Sequence, residues 1–199
     1  MADKLGILDY KNGACPGGSN ERAYRVLLTD ITEKLTVYKP EEIFVSISLT
    51  HAARREFCRT FDAEYYIHLT AYEPRNLDSP LWQLLSNRYN HESGHQTFDI
   101  MIVLAMQNFL RLNKIPYLIT SSMGSYDEED VKKQHVSNNV LSQLQTPRYL
   151  IDPSFATHSA MHNHKRGPQY HPLEEGHAGW ADYLLNYIST HNLLSNADL

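Results

Sequence analysis

Cysteine is almost absent: Cys15 and Cys58 are the only two in 199 residues. A disulfide framework is therefore excluded, and both thiols are expected reduced in a cytoplasmic protein. Long apolar runs are missing as well. Nothing approaches the ~18–20 residues of a membrane-spanning helix, and mean hydropathy is -0.47. The opening stretch MADKLGILDYKNG has no basic segment leading into an apolar one, so no signal peptide is expected. Positive charge is in deficit, with 18 Lys and Arg against 23 Asp and Glu and a net charge of -5. That balance argues against a dedicated nucleic-acid binder, which needs a basic face. Repeats and low-complexity tracts are lacking too.

What is present is ordinary globular composition, 42% hydrophobic and 21% charged. It suits one domain over residues 1–199, long enough to bury a core without staples. Histidine and tyrosine are over-used, at 11 and 13 residues. Histidine moves protons and binds metals near neutral pH, which directs attention to where the imidazoles fall.

Ordered along the chain, the signals alternate between strands and helices. Cys15-Pro16-Gly17-Gly18-Ser19-Asn20 reads as a sharp turn with a helix cap. Tyr24, Leu27, Leu28, Ile31 and Leu35 then recur at helical spacing. Ile43 to Ser48 reads as a buried strand, with Thr50 and His51 at its carboxyl end. Phe57 to Asn90 reads as an irregular excursion with a helix near Leu81 to Tyr89. Phe98, Met101, Ile102, Ala105, Phe109 and Leu112 form the apolar stripe of the next helix. Ile115 to Thr120 is a second buried strand, Asp127 opens another helix, and Arg148 to Asp152 is a third strand. Ser154 to Tyr170 reads as a loop, and the last helix begins near Glu174. The alternation implies a three-layer α/β/α fold on a short, mostly parallel sheet. In such sheets, sites gather at the carboxyl ends of the strands.

Four groups could carry chemistry. His91-Glu92-Ser93-Gly94-His95 has the formal spacing of a zinc hydrolase helix, with His91 and His95 as ligands. Its polar flanks and Gly94 favour a surface turn before a helix, so no metal or other cofactor is expected. His158, His162, His164, His171 and His177 crowd one stretch without the carboxylate or thiolate companions of a closed metal site. A loop lining a polar cleft is the expectation there. His171-Pro172, just before the last helix, presents an imidazole where a general base is useful. The turn through Gly17 and Gly18 can offer backbone N–H groups to an anion or oxyanion, or can simply be a tight turn.

The last two groups, in this order and at opposite ends of the chain, resemble the SGNH (GDSL-like) hydrolases. The likeness is greatest to the small versions carried by bacteriophages and marine bacteria. The early block is Asn12-Gly13-Ala14-Cys15-Pro16-Gly17-Gly18-Ser19-Asn20 through Arg25. Ser48-Leu49-Thr50 with Arg55-Glu56-Phe57 follows, and the late block is His171-Pro172-Leu173-Glu174-Glu175-Gly176-His177. The resemblance implies an ester or acetyl hydrolase scaffold, flavodoxin-like in its sheet. His171 would be the base, Gly17 or Gly18 the oxyanion glycine, and Asn20, Thr50 and His51 would border the substrate.

The family's Gly-Asp-Ser block has no counterpart, Pro168 stands where an orienting Asp is usual, and Thr50 stands where an Asn is usual. The first strand is thus expected missing or replaced, by Gly6 to Asn12 or by a partner chain in a homodimer that completes the sheet. Ser19 is a nucleophile or a cap, with Ser48 and Ser121 as other strand-end serines. The expected partners are a small ester or acetylated substrate, or a host protein bound by a catalytically dead phage-encoded form. Neither nucleic acid nor membrane is expected as a partner.

Overall fold

The computed structural model describes residues 2–7, 9–15, 18–51, 54–58, 66–70, 92–122, 143–144, 147–150, 152–168 and 171–195. Helix α1 is Asn20–Lys34, followed by strand β1, Val45–Leu49. Strands β2 (Arg54–Cys58) and β3 (Tyr66–Thr70) come next, then helix α2, Glu92–Leu112. Strand β4 is Tyr117–Ser121 and β5 is Tyr149–Leu150. Helices α3 (Phe155–Met161) and α4 (Glu174–Thr190) close the order. The expected helices near 81–89 and after Asp127 lie outside the described residues.

The main sheet has the order β1-β4-β5, and both pairings are parallel. Parallel neighbours cannot be joined by a tight hairpin, so each connection must leave the sheet and return. Helices cover both faces. One core unites Leu27 and Ile31 of α1 with Ile102, Val103, Met106 and Leu110 of α2, over Ile47, Leu49, Tyr117, Ile119 and Tyr149. A second packs Trp180, Leu184 and Ile188 of α4 on Leu118 and Leu150, with Leu193 beyond the helix. Strand β4 feeds both cores because alternate side chains point to opposite faces. All five of its residues are buried, which accounts for the unbroken apolar run in the sequence.

Several sequence expectations need correction. The run at 43–48 is not buried on both faces: Ser46 and Ser48 are exposed while Ile47 and Leu49 are buried. The Ile-Ser alternation is that of a strand with one covered face. On α2, Phe98, Met101 and Leu112 are exposed, and the buried face runs through Asp99, Ile102, Val103, Met106 and Leu110. With Ile100 to Met106 almost wholly apolar, periodicity leaves the inward face ambiguous. The helix also starts earlier than expected. The turn read into residues 92–95 is its first helical turn, where Gly94 costs less than in an interior.

Part of the irregular excursion is an antiparallel pair, β2 with β3, registering Arg54 with Thr70 and Cys58 with Tyr66. The loop expected from Ser154 contains α3, started by Ser154, whose Oγ accepts the Thr157 N–H at 3.1 Å. Seven residues are too few for a visible stripe. The segment expected to replace a first strand forms none among its described residues. It follows α1 instead, through Lys34 Nζ to Asp9 at 2.6 Å and Lys11 Nζ to Asp30 at 2.7 Å.

Two glycines let the α3 segment come close to α4. A Cβ on Gly176 would lie 2.8 Å from Pro172 Cβ and 3.3 Å from Ser159 Oγ. One on Gly179 would lie 2.8 Å from His164 Cε1. At the far end of the sheet, buried Arg148 fastens the chain after α4. Its guanidinium donates to Leu193 O at 2.9 Å and Ser195 O at 2.6 Å, and lies over the Tyr117 ring. Burial pushes the Tyr117 phenol up to about 12, against the opposing pull of Arg148.

Because a lysine cannot reproduce the two-pronged donation, Arg148→Lys is expected to lower stability by about 2 kcal/mol. The urea unfolding midpoint checks this; an unchanged midpoint would show that the carbonyls are served equally well by water.

Candidate functional site at the carboxyl edge of the sheet

Backbone topology brings the amino end of α1, the residues after β1 and the residues after β4 to one edge. Ser19 caps α1, its Oγ accepting the Arg22 N–H at 3.2 Å. Asn20 begins the helix and is 2% exposed. Its Oδ1 accepts the Thr50 N–H at 2.9 Å, and its Nδ2 donates to Thr50 O at 3.2 Å. The same Nδ2 donates to Asp99 Oδ2 at 2.8 Å. Asp99 is 1% exposed and comes from α2. One amide thus joins α1, the carboxyl end of β1 and α2.

Around this brace the remaining groups are also engaged. Thr50 Oγ1 accepts from Arg54 Nη1 at 2.7 Å. The Gly18 N–H donates to Cys15 O at 3.0 Å, and Arg22 Nη1 donates to Gly13 O at 2.8 Å, closing the turn before α1. Ser122 returns its N–H and Oγ to Leu49 O, at 2.9 and 2.6 Å, and its carbonyl accepts the Ala156 N–H of α3. His51 is exposed at the edge, with its carbonyl accepting the Arg54 N–H. Gly17 lies outside the described residues.

His171 is exposed on the turn between α3 and α4. Its carbonyl accepts the Gly167 N–H at 2.8 Å, and Leu173 N–H donates to Lys165 O, so the turn is closed by its own backbone. Pro168 sits inside that turn. The five late histidines divide. His158, His162 and His164 stand together, whereas His177 is exposed and packs on Phe155 with ring centroids 4.9 Å apart. For the formal zinc spacing, His91 lies outside the described residues and His95 falls in the first turns of α2. Among the described residues, no three His, Cys, Asp or Glu side chains are placed to hold a metal ion.

Of the other strand-end serines, Ser48 is exposed and Ser121 is buried opposite Leu49 in the β1–β4 register. Asp99 and Arg54, central to the brace, were not singled out by the sequence reading. The available signal was an acid inside the apolar run Phe98-Asp99-Ile100-Met101-Ile102, since a charge there must be buried and partnered. Asp99 also lies beside the amino end of α1, where the helix dipole favours a negative charge.

The expected effects follow from leaving buried groups unmatched. Asn20→Ala is expected to destabilise by about 1–3 kcal/mol. Asn20→Asp, which sets a second carboxyl against Asp99, is expected to cost more at neutral pH. Ser19→Ala removes the cap at about 1 kcal/mol. Urea unfolding of the three variants gives the order; Ser19→Ala as the most damaging would contradict it.

Over its whole length, residues 1–199, the chain matches the model of a family of unknown function, DUF6071, and it belongs to that family. No curated protein and no solved structure matches it. Among the described residues, no helix is long and apolar enough to cross a membrane.

Proposed function

For this member of the DUF6071 family, we propose a binding role on an SGNH-hydrolase-like scaffold, with catalysis impaired or absent. The ligand is a small ester-like or acetylated molecule held at the carboxyl edge of the sheet. Supporting the scaffold are the parallel order β1-β4-β5, helices on both faces, and an edge that gathers Ser19, Asn20, Thr50, His51 and Ser122. Open α/β sheets take their ligands at such an edge. The His171-Pro172 turn ahead of α4 agrees with the late block of that family in sequence.

One observation carries the reading away from turnover. A hydrolase of this kind needs a free hydroxyl and free donors aimed at the developing oxyanion. Here the Ser19 hydroxyl serves as a cap, the Gly18 N–H goes to Cys15 O, the Thr50 N–H goes to Asn20, and the Asn20 amide goes to Thr50 and Asp99. Donors so engaged hold the fold and leave no free oxyanion donor among the Gly18 N–H, the Thr50 N–H and the Asn20 amide. Loss of a triad serine costs ~10⁴–10⁶ in rate, with only binding and oxyanion effects left.

Incubation with a fluorophosphonate probe is expected to give no covalent adduct by intact mass. Hydrolysis of p-nitrophenyl acetate is expected to be the same for the wild type and His171→Ala. A single-site adduct, or hydrolysis abolished by His171→Ala, would establish a working esterase and overturn the binding reading.

A further inference from the structure

Helix α3 and the turn after it meet α4 through Phe155, which packs on Trp180 and His177, and through a group of imidazoles. His158 and His162 have ring centroids 4.3 Å apart, His162 and His164 5.5 Å, and His158 and His164 5.9 Å. His158 is 5% exposed and packs on Trp180 and Tyr183 of α4, at 5.3 and 5.1 Å. His164 fits the space left by Gly179. Nδ1 of His158 and Nδ1 of His164 are buried without a hydrogen-bond partner, while His162 Nδ1 lies 2.9 Å from His158 O. Among the described residues, no carboxylate forms an ion pair with any of the three.

We propose that His158 is a proton-operated latch: its neutral imidazole, packed among His162, His164, Trp180 and Tyr183, keeps α3 and the following turn seated on α4, and its protonation releases the segment. As aromatic rings, the three pack well while uncharged. A proton added to His158 makes a buried cation without an acceptor, a ring's width from two further imidazoles, and such a charge is costly.

The surrounding groups do not relieve it. On its own segment His158 faces His162 and His164, with the exposed cations Lys165 and Arg166 beyond them in the chain. From α4 it faces the Tyr183 phenol, which is neutral in the relevant range because burial and the charge of Asp152 both push it up. His177 of α4 is engaged with Phe155.

Burial first, then His162 and His164, hold His158 below the ordinary histidine value of 6.5. The seated form therefore takes up protons less readily than the released form. Its stability is complete above the ordinary value and falls as pH drops through it. The segment carries the Ala156 contact to Ser122 and the turn holding His171, so release loosens one side of the carboxyl edge. The latch does not depend on whether that edge binds an ester.

The test is an NMR titration of the histidine Cε1–H signals, combined with hydrogen exchange of α3 amides referenced to the core of α2. The full-length protein is followed from about pH 7.5 to about pH 5, the range where histidine changes charge. The expected result is a His158 midpoint below 6.5 and a loss of α3 protection on acidification that exceeds the loss in α2. His158→Gln, which cannot take up the proton, is expected to make the α3-to-α2 ratio independent of pH. A His158 midpoint at or above the ordinary value, or an α3-to-α2 ratio in the wild type that does not change with pH, would overturn the proposal. Both readouts use the wild type, so the decision stands even if the variant fails to fold.

Discussion

The Asn20 side chain is the constraint on which the carboxyl edge depends. Helix α1, strand β1 and helix α2 are distant in sequence, and a single buried amide ties all three through Thr50 and Asp99. An amide suits this position because it carries both a donor and an acceptor in one plane. It can answer the N–H and C=O of Thr50 while offering its donor to a carboxylate. Aspartate would supply no donor at neutral pH, and leucine would supply nothing. In a low-dielectric interior, each of those unmet groups would weigh more than it does in water.

The same brace bears on function. Hydrogen bonds at a strand end can be aimed outward at a ligand or inward at the fold, and one donor seldom does both well. At this edge Ser19, Asn20, Thr50 and Gly18 are directed inward. His51 stands exposed at the same edge.

Much of the framework was legible because it follows local rules. The cap signal at Ser19-Asn20 marked the start of α1, the unbroken run at 115–120 marked the central strand, and Glu174 marked the start of α4. What failed to show depends on contacts between distant segments. The inward face of α2 is chosen by tertiary packing among nearly equivalent apolar residues. Helix α3 is too short to carry a period and is set by the Ser154 cap and the glycine faces of α4. Of the candidate site, Asn20 and Thr50 were visible as motif members. Their mutual bonds were not, and Asp99 and Arg54 entered only through the fold. The grouping of His158, His162 and His164 was foreshadowed by their crowding, whereas the separate lodging of His177 on Phe155 was not.

The central claim is that Asn20 and Asp99 act as one structural unit at the carboxyl edge. A double-mutant cycle tests it most directly, using Asn20→Ala, Asp99→Ala and the pair, with stabilities from urea unfolding. A coupling energy of about 1–3 kcal/mol is the predicted result, as for residues sharing one buried network. Strict additivity of the two single changes would contradict the account and free the Asn20 amide for another role.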